Sequence, residues 1–86
     1  MTKGERLDTT TTVIETFEAT VNGKYYGDAS VFEIHIHDIR YIYVVEYSSY
    51  ETGCGIEHKT FDDKDKAIRM YNKIVKGIKK SIIDNI

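Results

Sequence analysis

From residue 62 to residue 86 the chain reads DDKDKAIRMYNKIVKGIKKSIIDNI, and its apolar positions recur at helical spacing. Wound at about 100° per residue, Ala67, Ile68, Tyr71, Ile74, Val75, Ile78 and Ile82 share one face. Lys66, Arg69, Lys73, Lys76 and Lys80 share the opposite face. Asp62 or Asp63 is placed to cap the free N–H groups of the first turn. The acids there suit the positive end of the helix dipole, and Lys76, Lys79 and Lys80 suit its negative end. Asp62 with Lys66, and Asp65 with Arg69, stand at i,i+4 and support the same turn. Met70, Ile83 and Ile86 fall off the main apolar face.

Upstream the period changes to two, the signature of strands. In TTVIETFEATV (residues 11–21), Val13, Phe17, Ala19 and Val21 share a face that Glu15 interrupts, which predicts an edge position or a bulge. Asn22-Gly23 is a strong hairpin signal because both residues tolerate positive φ. Lys24-Tyr25-Tyr26 returns beside the first strand, and Gly27-Asp28-Ala29-Ser30 is expected to break or bulge it. In VFEIHIH (31–37), Phe32, Ile34 and Ile36 point one way, and Glu33, His35 and His37 the other. Asp38-Ile39-Arg40 makes a tight connection. YIYVVEY (41–47) is apolar on both sides, which marks a central strand. SSYETGCG (48–55) reads as a loop, and GIEHKTF (55–61) as a short strand running straight into the helix.

The predicted fold is therefore α+β: an antiparallel meander of about four strands, with one long C-terminal amphipathic helix packed on one face. Residues 1–10 read as a flexible arm and residues 11–86 as a single domain. One helix covers one face. The other is expected to stay open and to carry Glu33, His35 and His37 with Tyr41, Tyr43 and Tyr47.

Composition narrows the function classes. Apolar residues make up 41% and charged residues 30%, a balance that folds and argues against disorder. No apolar run approaches the ~20 residues of a membrane span, and MTKGERLD lacks the apolar core of a signal peptide. The lone Cys54 makes no internal disulfide, so a reducing, cytoplasmic setting is expected. The net charge of −2 is uneven: residues 1–61 carry ten acids and five bases, and residues 62–86 four acids and seven bases. An acidic body disfavours nucleic acid there, while the basic helix does not.

Each candidate chemistry has a plain competitor. Tyrosine suits contact surfaces, with an apolar ring and a polar tip, although strands favour aromatics in any case. The helix cations could track phosphates, although surface helices display lysine on their wet side by default. His35 and His37, at i,i+2, could share a metal ion, but a zinc site needs three or four ligands. Cys54, between two glycines and near His58, lacks the base and oxyanion donors of a nucleophile site. Glu33, Asp38, Glu46, Glu51 and Glu57 could complement a basic partner, or serve solubility.

The run KTFDDKDKAIRMYNKI (59–74) resembles the last-strand-to-helix junction of AP2-like and integrase arm-binding domains, which read DNA with a small sheet. That resemblance implies a basic sheet. This one is acidic, so no DNA-reading residue carries over and no family is assigned. The expectation is a non-enzymatic binding protein without cofactor or metal, acting through Glu33, His35, His37, Tyr41, Tyr43 and Tyr47 on a protein partner or a second copy. An inhibitor or accessory protein of a phage or mobile element fits this description. The alternative is nucleic-acid binding through Lys66, Arg69, Lys73, Lys76 and Lys80.

Overall fold

The computed structural model describes residues 9–37, 40–49 and 55–85. In chain order the elements are β1 (Thr9–Val21), β2 (Lys24–Ile36), β3 (Arg40–Ser49), β4 (Glu57–Phe61) and α1 (Lys64–Asp84). The strands form one antiparallel sheet in the order β1-β2-β3-β4, and α1 packs on one face of it. This is the α+β meander that the alternating pattern predicts. Some boundaries move. Thr9 and Thr10 belong to β1 rather than to an arm, and β2 continues through Gly27–Ser30 with a bulge beside Gly27 rather than a break. The rest of the predicted arm (1–8), the Asp38-Ile39 connection, residues 50–54 with Tyr50 and Cys54, and Ile86 lie outside the described residues.

Local chemistry accounts for the turns. Val21 pairs with Lys24 across Asn22 (φ 53°) and Gly23 (φ 80°), the paired positive φ angles of a two-residue hairpin. Two register shifts interrupt the β1–β2 ladder, one between Val13 and Glu15 and one between Ala19 and Thr20. The first is the bulge that Glu15 betrays in the sequence. It inserts Ile14 and reverses the alternation, so Val13 sits opposite Phe32 while Phe17 sits opposite Ala29 on the other face. The second lies at Gly27, whose φ of 153° suits glycine. A Cβ there would stand 2.8 Å from the Ser48 carbonyl oxygen and 3.0 Å from Ile78 Cδ1, so helix and sheet approach too closely for a side chain.

The core lies between α1 and one end of the sheet. Ala29, Val31 and Val45 are fully buried against Ala67 and Tyr71, closed in by Ile14, Phe17, Tyr43, Tyr47 and Phe61 of the sheet. Burying a valine stabilises by about 1.5–3 kcal/mol. Met70, placed off the apolar face by its helical angle, also packs here, because the long flexible side chain reaches across. Farther along, Ile78 closes on Ala19 and Tyr26. Asp63 is the N-cap, accepting from the Asp65 N–H at 2.8 Å. At the other end α1 runs past Lys80, so its last turn holds no base. Asn85 finishes it, donating its backbone N–H to Ile82 (3.2 Å) and its side-chain amide to Ser81 (2.7 Å).

Length mismatch sets the shape. At ~1.5 Å per residue α1 is about 32 Å long, whereas β2 at ~3.3 Å per residue is about 43 Å. The helix begins just after Phe61, beside Tyr43, and runs back toward Gly27. The far end of the β2–β3 ladder therefore extends beyond it. The radius of gyration is 16.0 Å and the extents are 58 × 26 × 17 Å, against a radius of about 12 Å for a compact chain of this length.

Candidate functional site

In the unbroken β2–β3 ladder, residues of like parity share a face. Ala29, Val31, Glu33 and His35, with Tyr47, Val45, Tyr43 and Tyr41, form the face under α1. Asp28, Ser30, Phe32, Ile34 and Ile36, with Ser48, Glu46, Val44, Ile42 and Arg40, form the uncovered face. β1 adds Thr9, Thr11 and Val13 to the uncovered face, and β4 adds Thr60 and His58.

The uncovered face divides along its length. Near the Asn22–Gly23 turn it is polar: Thr16 Oγ1 and Ser30 Oγ lie 3.0 Å apart, and the Tyr25 hydroxyl donates to Asp28 at 2.6 Å. Toward the far end it is apolar. Val13, Phe32 and Val44 form one rank across three strands, followed by Thr11, Ile34 and Ile42, then Thr9, Ile36 and Arg40. Phe32, Ile34, Ile36, Ile42 and Val44 are half-buried, and Val13 is 55% exposed. A shallow depression of about 310 Å³, lined by Thr11, Phe32, Ile34, Val44, Glu46 and His58, opens in the middle.

This placement corrects the sequence expectation. Glu33, His35, Tyr41, Tyr43 and Tyr47 do not occupy the open face; they lie on the helix side. Both faces of this sheet are apolar somewhere, so alternation alone does not choose between them. The helix takes the side with small residues, Ala29, Val31 and Val45, where it can approach closely. Tyr43 and Tyr47 wall the core. Partial burial, with the Glu33 carboxylate beside it and bonded to it, raises the Tyr43 phenol above its ordinary value. A hydrogen bond to Glu57, then burial, raises that of Tyr47. Beyond the helix start His35 stacks on Tyr41, ring centroids 4.4 Å apart. His37 stands past the end of β2, in a turn, and is exposed.

The five helix cations, Lys66, Arg69, Lys73, Lys76 and Lys80, are all exposed, away from the apolar stripe. Among the described residues, no three His, Cys, Asp or Glu side chains gather where a metal ion could be held, and no helix is long and apolar enough to cross a membrane. Glu46 and His58 are cross-strand neighbours on the uncovered face, beside the apolar ranks, a position that suits the rim of a contact surface.

Comparison with known proteins gives no relative to argue from: no family model matches the chain, and neither a curated protein nor a solved structure shows a significant match. The apolar residues of the uncovered face, Phe32, Ile34, Ile36, Ile42 and Val44, are visible in the sequence as alternating apolar positions. The signal that could have found them was Ala29 continuing the Val31 side, since a run of small residues marks where a helix can dock.

Proposed function

We propose that this is a non-enzymatic binding protein that engages a protein surface through the apolar end of its uncovered sheet face. One observation carries the reading: Val13, Phe32, Ile34, Ile36, Ile42 and Val44 lie contiguously on a face that no element of the described chain covers. An apolar centre with a polar rim is the anatomy of a protein interface. Here Thr9, Thr11, Thr60, Arg40, Glu46 and His58 form the rim. Contiguous exposed apolar surface is avoided unless it is used. The lone cysteine fits a reducing cytoplasm. The small size fits an inhibitor or accessory protein of the kind that phages and mobile elements carry.

A second reading is favoured by the exposed line Lys66, Arg69, Lys73, Lys76 and Lys80, which could follow a phosphate backbone. Affinity capture with three baits separates the two. A partner held by the native chain, lost by Ile34→Lys and kept by Arg69→Glu/Lys73→Glu supports the sheet face. A partner lost by the helix variant, and released by nuclease or raised salt, supports the helix. Retention by Ile34→Lys overturns the first reading.

A further inference from the structure

We infer that the apolar end of the sheet is occupied by a second copy of this chain, stacked face to face with its strands antiparallel to the first. This rests on the reading of the uncovered face as a binding surface and names its occupant. The inference comes from the order of residues on that face. Along β3 it presents Arg40, Ile42, Val44 and Glu46: a cation, two apolar residues and an anion. β2 runs beside it with Ile36, Ile34, Phe32 and Ser30.

A two-fold axis between the sheets, perpendicular to the strands and level with Tyr43, reverses this order. Ile42 then meets Val44 of the partner, Ile34 meets Phe32, Ile36 meets Ser30, and Arg40 meets Glu46 at both ends. The face is thus complementary to itself in charge, and in hydrophobicity at its two central ranks, as an isologous interface requires. The alternative axis, along the strands, places Arg40 beside Arg40 and Glu46 beside Glu46, which electrostatics disfavours. Stacked sheets lie about 10 Å apart and within about 30° of alignment. Apolar side chains fill that gap, and Arg and Glu reach across it from opposite sides.

The size also fits. Four ranks along the strands, three strands wide at Arg40 and Ile42 and four strands wide at Val44 and Glu46, give at sheet spacings a footprint of about 450 Å² per copy. Two copies reach about 900 Å², close to the lower bound of about 1,000 Å² for a specific interface. Among the described residues no element covers this end of the face, since α1 lies on the opposite one.

Sedimentation equilibrium on the full chain, from about 5 to 500 μM, tests this. The native chain is expected to dimerise. Arg40→Glu alone and Glu46→Arg alone should each weaken the dimer by about tenfold or more, since each sets like charges together at two symmetric places. The double variant Arg40→Glu/Glu46→Arg should recover it, and circular dichroism checks that each variant is folded. A chain that stays monomeric throughout overturns the inference, as does a dimer indifferent to the single swaps, or single swaps that the double variant does not rescue. A monomer that still loses a captured partner on Ile34→Lys sinks the second copy while leaving the binding face standing. A native dimer unaffected by Ile34→Lys sinks both.

Discussion

At the hairpin end of the sheet, Ala29, Val31 and Val45 are sealed beneath α1, while the reverse side shows Ser30, Asp28 and Glu46. At the far end the sides exchange roles: Glu33, His35 and Tyr41 stand on the helix side, and Phe32, Ile34, Ile36, Ile42 and Val44 on the reverse. The hairpin end is a finished two-layer structure. The far end is half of one, with its oily surface turned away from the only helix among the described elements. β1 follows the change through its bulge, sending Val13 to the bare face and Ile14 and Phe17 to the core. One end of the sheet is sealed by the helix, and the other is covered by no element among the described residues.

That contrast breaks first at the core. Tyr71→Ala should cost about 3–5 kcal/mol in urea unfolding, the range for deleting a buried aromatic ring, because Tyr71 sits on Val31 and Val45. A loss below about 1 kcal/mol would mean that α1 is not what stabilises the sheet. Gly27→Ala should cost about 2 kcal/mol, from its φ of 153° and the Cβ that would meet Ser48 and Ile78. Asp63→Ala removes the helix cap and should cost about 1 kcal/mol.

Alkali sharpens the same comparison. Burial raises the Tyr71 phenol, with Glu15 adding to it, and Tyr43 and Tyr47 are raised as well. The unfolded chain loses these protons around the ordinary value of 10.0, before the folded chain does. Above that point the unfolded state binds fewer protons, so stability falls as pH rises. Their contribution is full below pH 10 and is lost as pH climbs through the raised values. Thermal unfolding across this range, with tyrosinate absorbance, should show folded-state ionisation displaced upward; displacement abolished by Tyr71→Phe would locate its largest source. The smallest effect on stability belongs to the bare end. Ile34→Lys should cost less than about 1 kcal/mol while abolishing association, and Tyr71→Ala should do the reverse to any chain that remains folded.

The two ends also differ in how plainly the sequence shows them. Helix register, the Asn22-Gly23 turn and the bulge signalled by Glu15 all follow from local patterns, and each is present. The choice of face does not follow from local pattern. In YIYVVEY both parities are apolar, and in VFEIHIH the cleaner alternation belongs to the side that no helix covers. What decides is tertiary: Ala29 and Val31 beside Val45 make a flat floor, and the Asp62-Asp63 link returns α1 onto it. Pattern alone therefore puts Glu33, His35 and the tyrosines on the open side, whereas they lie on the helix side. The helix cations are exposed as their spacing predicts, and their exposure does not separate a phosphate track from an ordinary wet face.

Methyl NMR of the native chain gives the most direct test of the bare end. With isoleucine and valine methyls labelled, raising the concentration or adding a captured partner should shift and broaden Ile34, Ile36, Ile42, Val44 and Val13. Val31 and Val45, sealed under α1, and Ile78, on the buried side of α1, should hold still. Changes confined to Ile83 and the helix surface, with the Ile34 group unmoved, would contradict the assignment of contact to the bare end of the sheet.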